Sequence, residues 1–142
     1  VQKYLNKVSG PLLDRIDLHV EVTPVAFSAL ATQKPGEDSS VIRERVIKAR
    51  EIQATRYTNT PGIYCNAQIN SKMLKEICGI DSAGQQLLKA AMDKLNLSAR
   101  AYDRILKVAR TIADLSASEN IKTEFLAEAI QYRSLDREGW AG

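Results

Sequence analysis

Histidine and cysteine are scarce. The 142 residues hold one histidine, His19, and two cysteines, Cys65 and Cys78, far from any CxxC spacing. A structural zinc site takes four such ligands at short spacings, so a Cys/His zinc centre is excluded. Both thiols read as reduced, partly buried side chains. Aromatic residues reach only 6%, which weakens any surface built to stack single-stranded bases. No apolar run approaches the roughly 20 residues that a membrane helix needs, and no basic–apolar–small leader opens the chain. A cytoplasmic location without membrane contact is therefore expected. GxxxxGK[ST], HExxH and GxSxG are all missing, and no Ser/His/Asp set forms around the single histidine. The chain is expected to lack a self-contained catalytic site and metal ligands. Valine, not methionine, stands first, so a processed or excised piece of a longer protein is expected.

What is present is mostly helix. At 44% hydrophobic and 26% charged, the chain can order one core. A net charge of +3 permits contact with phosphates without requiring it. After residue 40, apolar residues recur at helical spacing. The first such segment runs from Ser40 to about Tyr57, with Asp38 or Ser39 as cap. Its stripe is Ile42, Val46, Ala49 and Ile52, and its outer face carries Arg43, Arg45, Lys48, Arg50 and Arg56. A connector over 58–70 leads to a short helix capped by Asn70 or Ser71 and closed at Gly79, with Met73, Leu74 and Ile77 inward. A helix from about Asp81 to Leu95 follows, with Leu87, Leu88, Ala91, Met92 and Leu95 inward. Ser98 caps the next, which carries Tyr102, Ile105, Leu106, Ala109, Ile112 and Ala113 on one stripe to about Leu115. The last starts near Lys122–Thr123 and buries Phe125, Leu126, Ala129 and Ile130.

The first forty residues differ. Residues 1–8 read as the tail of a helix, and Pro11 can open a turn over Leu12 to Ile16. Asp17 to Val22 alternate apolar and polar, the pattern of a half-buried strand. No second strand follows, so its sheet is expected upstream. Residues 23–40 read as a linker. The fold expected is mainly α: a bundle of about five helices preceded by a short strand-bearing remnant. The divisions are 1–22, the linker 23–40, the bundle 41–137 and a tail 138–142.

Two arginines stand out. Arg100 lies two residues past the Ser98 cap, where the helix dipole disfavours a cation. Either Asp103 or Asp81 neutralises it, or it waits there for an anion that the free amides also favour. Arg15 sits between Asp14 and Asp17. It is either locally paired or displayed toward another molecule's phosphate. Arg100, Arg104 and Lys107 share one helix face by their i, i+4, i+7 spacing, and Asp103–Lys107 reads as an ordinary surface pair.

The stretches YLNKVSGPLLDRIDLHVEV, YCNAQI, LSARAYDRILKVARTIADL and LAEAIQYRSLDR resemble the C-terminal region of magnesium-chelatase-like AAA+ ATPases, nearest the bacterial competence branch. The resemblance covers about Tyr4 to Arg137. It implies that residues 1–22 end an ATPase core and that the bundle is the helical lid of that ATPase. Arg15 then matches the arginine finger that reaches the γ-phosphate held by a neighbouring subunit. Arg100 matches the sensor-2 arginine that contacts the phosphates of bound ATP, with Arg104 as a further phosphate contact. ATP and Mg²⁺ would serve the full-length protein, neither being expected on this piece alone. The implied partners are the upstream core, a homo-oligomeric ring, as a hexamer, and DNA. Two alternatives stand beside this one. The chain is a free-standing DNA-binding or adaptor module, read from the basic helix 40–57 and the helix–turn–helix spacing of 71–95, or a subunit of a true porphyrin magnesium chelatase.

Overall fold

The computed structural model describes residues 12, 15–20, 22, 24–25 and 36–133. Among them are five α-helices: α1 (Ser39–Tyr57), α2 (Ser71–Ile77), α3 (Ser82–Leu95), α4 (Ala99–Leu115) and α5 (Thr123–Gln131). The expected helix at 1–8, most of the linker 23–40 and the tail lie outside the described residues.

Three helices start where the sequence supplies an acceptor. The Asn70 side chain accepts from the amides of Lys72 (3.1 Å) and Met73 (3.0 Å). Asp81 Oδ1 accepts from Gly84 N at 2.7 Å, and Ser98 Oγ from Ala101 N at 3.2 Å. Each cap is worth about 1 kcal/mol. α3 stops at Asn96, whose φ of 48° is the left-handed conformation that ends many helices. No helix among the described residues is long and apolar enough to cross a membrane.

α4 is the central element. It touches α1, α2 and α5, and α5 also packs on α3. Three of its buried positions are alanines (Ala101, Ala109, Ala113), which let neighbouring backbones come close. Leu74, Leu88, Ile105, Leu106, Phe125 and Leu126 fill the space around them. Burying each of these larger side chains contributes about 1.5–3 kcal/mol.

α1 departs from its expected face. Ile42 and Val46 are exposed, and the buried residues are Ala49, Gln53 and Tyr57. The aliphatic stripe loses to a face that can hydrogen-bond, because Gln53 Oε1 accepts from Asn66 N (3.1 Å) and Tyr57 donates to Asn66 Oδ1 (2.7 Å). Only the C-terminal half of α1 is held this way; residues 39–48 are exposed throughout. The connector 58–70 also contains an unexpected 3₁₀ turn, Asn66–Gln68, packed on α4.

The expected strand over 17–22 is not found among the described residues. The pattern is inverted: His19 is 5% exposed, whereas Leu18, Val20 and Val22 are 47%, 67% and 87% exposed. Among the described residues no strand lies alongside to cover the apolar side. The segment instead repacks on the end of α5, where His19 N donates to the Tyr132 carbonyl at 2.8 Å and the Arg133 guanidinium donates to the Ile16 carbonyl. Before it, Arg15 N donates to Leu12 O at 3.0 Å and closes a turn.

Candidate functional site

α4 sets the site. Its first turn contains no acidic residue, yet its second residue is Arg100. Arg100 is exposed, and its guanidinium meets neither Asp103 nor Asp81 nor any other described side chain. Arg104 and Lys107 follow on the same face, and all three border one groove of about 590 Å³. Val108, Ile112 and Leu115 give the groove an apolar wall.

The three cations have different surroundings. Arg104 pairs with the Asp17 carboxylate, 87 residues away in sequence. Lys107 donates to the Ala67 carbonyl at 3.1 Å and does not pair with Asp103, because the turn packed against α4 offers a fixed acceptor. Arg100 alone is left without a partner among the described residues. The groove can thus present a guanidinium, an ammonium and the start of a helix to an anion, the chemistry that suits phosphate.

Arg15 is exposed and does not border this groove. Its pairing with Asp17 does not occur, since Asp17 faces Arg104. The structure therefore brings Arg100 and Arg104 together and leaves Arg15 apart, two residues from the groove's edge at Asp17.

A second polar cluster went unseen in the sequence. Asp114 is 1% exposed. It accepts from Arg56 at 2.6 and 2.8 Å, from Asn66 Nδ2 at 2.8 Å and from Arg110 Nε at 3.1 Å. Burial alone would raise its pKa, but the hydrogen bonds from Arg56 and Asn66 and the charges of Arg56 and Arg110 hold it below the usual carboxylate range. Arg110 goes on to donate to the carbonyls of Glu119 and Ser118, both at 2.6 Å. Arg56, placed by pattern on the outer face of α1, turns inward to join α1 to α4. The available signal was the position of Arg110 and Asp114 within the otherwise apolar stripe of α4. This cluster is a fastening of the fold, with Arg56, Asn66 and Arg110 all donating to other protein atoms.

Cys78 is buried, which pushes its thiol up to about 11, so it stays protonated at neutral pH. Cys65 is half-buried. In the native chain an aromatic disulfide reagent is expected to titrate Cys65 alone, with Cys78 reacting only on addition of denaturant. Equal rates for both would contradict this packing. Among the described residues no group of three or more His, Cys, Asp or Glu side chains could hold a metal ion.

The family model described as "Magnesium chelatase, subunit ChlI C-terminal" matches residues 36–133, the stretch that contains all five helices. The chain belongs to the magnesium chelatase ChlI C-terminal family. A second model, "Magnesium chelatase, subunit ChlI", matches residues 1–30, the stretch holding Arg15 and Asp17. Competence protein ComM of Haemophilus influenzae is 44% identical over 138 residues, which is 96% of this chain and 26% of that protein. The uncharacterized protein YifB of Escherichia coli K12 is 40% identical over 136 residues, 95% of this chain and again 26% of that protein. A relative in Mycobacterium tuberculosis, the uncharacterized protein Rv2897c, is 36% identical over 132 residues. The chain spans about a quarter of the length of these curated relatives. In the terms of this family, the groove lies on the C-terminal module, and its Asp17 edge belongs to the stretch matched by the other model.

Proposed function

We propose that this chain is the helical lid, with the adjoining end of the core, of an ATP-driven ring motor, and that it reads the phosphates of bound ATP. The observation that carries the proposal is Arg100: a cation in the first turn of α4, without a partner among the described residues, bordering a groove with two further cations. Bound ATP supplies the phosphoanhydride bond whose hydrolysis drives motion. Arg100 would donate its guanidinium hydrogens to phosphate oxygens, and Lys107 would add charge from the next turns. Arg15, exposed and apart from the groove, would serve the ATP of a neighbouring subunit. The residues fit the phosphates but not the magnesium ion, for which no ligand cluster exists among the described residues. The magnesium ligands and the phosphate-loop lysine would come from residues upstream in a longer protein.

The test uses that longer protein. Arg15→Ala and Arg100→Ala should each lower ATP turnover at least tenfold, while Lys89→Ala, on the exposed side of α3, leaves it unchanged. Unchanged rates in both arginine variants would contradict the proposal.

For the output, the competence wording of one relative's name and the exposed basic half of α1 favour DNA over porphyrin. Arg43, Lys48 and Arg50 are exposed there, as is Arg45, which is paired with Glu37 at 2.8 Å. Three free cations predict that duplex affinity falls with a log–log salt slope of about −3. A flat salt response, or ATP turnover that needs porphyrin and larger partner subunits, would favour the chelatase alternative.

A further inference from the structure

The groove proposed to read phosphate is not open to it on equal terms along its length. Its cations Arg100, Arg104 and Lys107 are matched by three acids, Asp17, Asp103 and Glu128. Of these acids only Asp17 makes an ion pair with one of the cations. It is also the only one that comes from outside the helical bundle, on the segment that carries Arg15. Its neighbours tie that segment to the end of α5: the Arg133 guanidinium donates to the Ile16 carbonyl, and His19 N donates to the Tyr132 carbonyl.

We propose that Asp17 is a positioning residue with two effects, an inference that rests on the phosphate-reading role of the groove. Its carboxylate stands in for phosphate on Arg104, and a phosphate that enters the groove must displace it to reach that guanidinium. The same pair holds the Arg15 segment against α4, so that arrival of phosphate in one subunit frees the side-chain tether beside the finger offered to the next. The pair is partly exposed, with side chains 28% (Arg104) and 51% (Asp17) accessible. It is therefore weak enough to be exchanged for a better anion, as solvent-exposed pairs are. The design links nucleotide capture by α4 to placement of Arg15 through one exchangeable contact.

Steady-state ATP turnover by the full-length protein separates these effects. Asp17→Asn removes the competitor and the tether. It should lower KM for ATP about two- to fivefold, the range expected for loss of one exposed ion pair, and leave kcat near wild type, because the tether is already released once the groove holds nucleotide. Asp17→Glu should restore KM toward wild type. A KM that is unchanged or raised, or a kcat that falls, would overturn the inference, and so would a glutamate variant that behaves like the asparagine one. Melting temperatures measured alongside keep a folding defect from being taken for the effect. The Arg100→Ala variant in the same series tells the two failures apart. If it still loses turnover while Asp17→Asn keeps the wild-type KM, the groove reads phosphate without a latch. If it loses nothing, the phosphate-reading role itself has failed.

Discussion

Asp114→Ala is expected to destabilise this chain by about 3–5 kcal/mol, the cost of removing one partner from a buried ion pair. The loss is large because four donor groups on Arg56, Asn66 and Arg110 converge on its two oxygens. Without the carboxylate, Arg110 is left buried with its charge uncompensated, and α1 loses its main tie to α4. Domains of this size hold a total of about 5–15 kcal/mol, so the variant should sit near the edge of folding. Urea unfolding followed by circular dichroism measures it, with the midpoint far below wild type. A midpoint within 0.5 M would show that the cluster is ornamental. The same carboxylate sets an acid limit. Its folded pKa lies below the unfolded value of about 3.9, so its contribution is complete above that pH. The contribution is lost as pH falls through the lowered folded value. Stability should therefore drop steeply below about pH 4 in the wild type and less steeply in Asp114→Asn.

Arg15→Ala in the full-length protein should reduce ATP turnover by about 10³–10⁵, the range for removal of an arginine that stabilises charge in phosphoryl transfer. ATP affinity should change little, since Arg15 does not border the groove that Arg100 lines. The sharper expectation concerns which subunit is served. Mixing Arg15→Ala subunits with subunits that retain Arg15 but lack the phosphate-loop lysine should restore turnover. Each kind supplies what the other has lost. Failure of the mixture to recover, with ring assembly confirmed, would mean that Arg15 acts within its own subunit or not at all.

Much of this was legible in the residues. Ser98 caps as its place before an apolar repeat requires, Asn70 rather than Ser71 caps α2, and the stripe Ile105–Leu106–Ala109–Ala113 is buried as its spacing requires. What could not be read depends on partners distant in sequence. The inward turn of Arg56 exists because Asp114, 58 residues away, offers a buried charge. The alternation over 17–22 pointed to a half-buried strand, but among the described residues no strand lies beside it, and His19 went in while Val20 and Val22 stayed out. Local rules did flag Arg100, because a cation in a first helical turn conflicts with the dipole. They could not place Asp17 on Arg104, since nothing in either local sequence hints at the other.

The most direct measurement is the equilibrium affinity of the full-length protein for ATP, with magnesium fixed, in the wild type and in Arg100→Ala. A loss of about ten- to a hundredfold is expected in Arg100→Ala, as for a charged hydrogen bond of roughly 1.5–3 kcal/mol, at an unchanged melting temperature. Equal affinities in two equally stable proteins would contradict it.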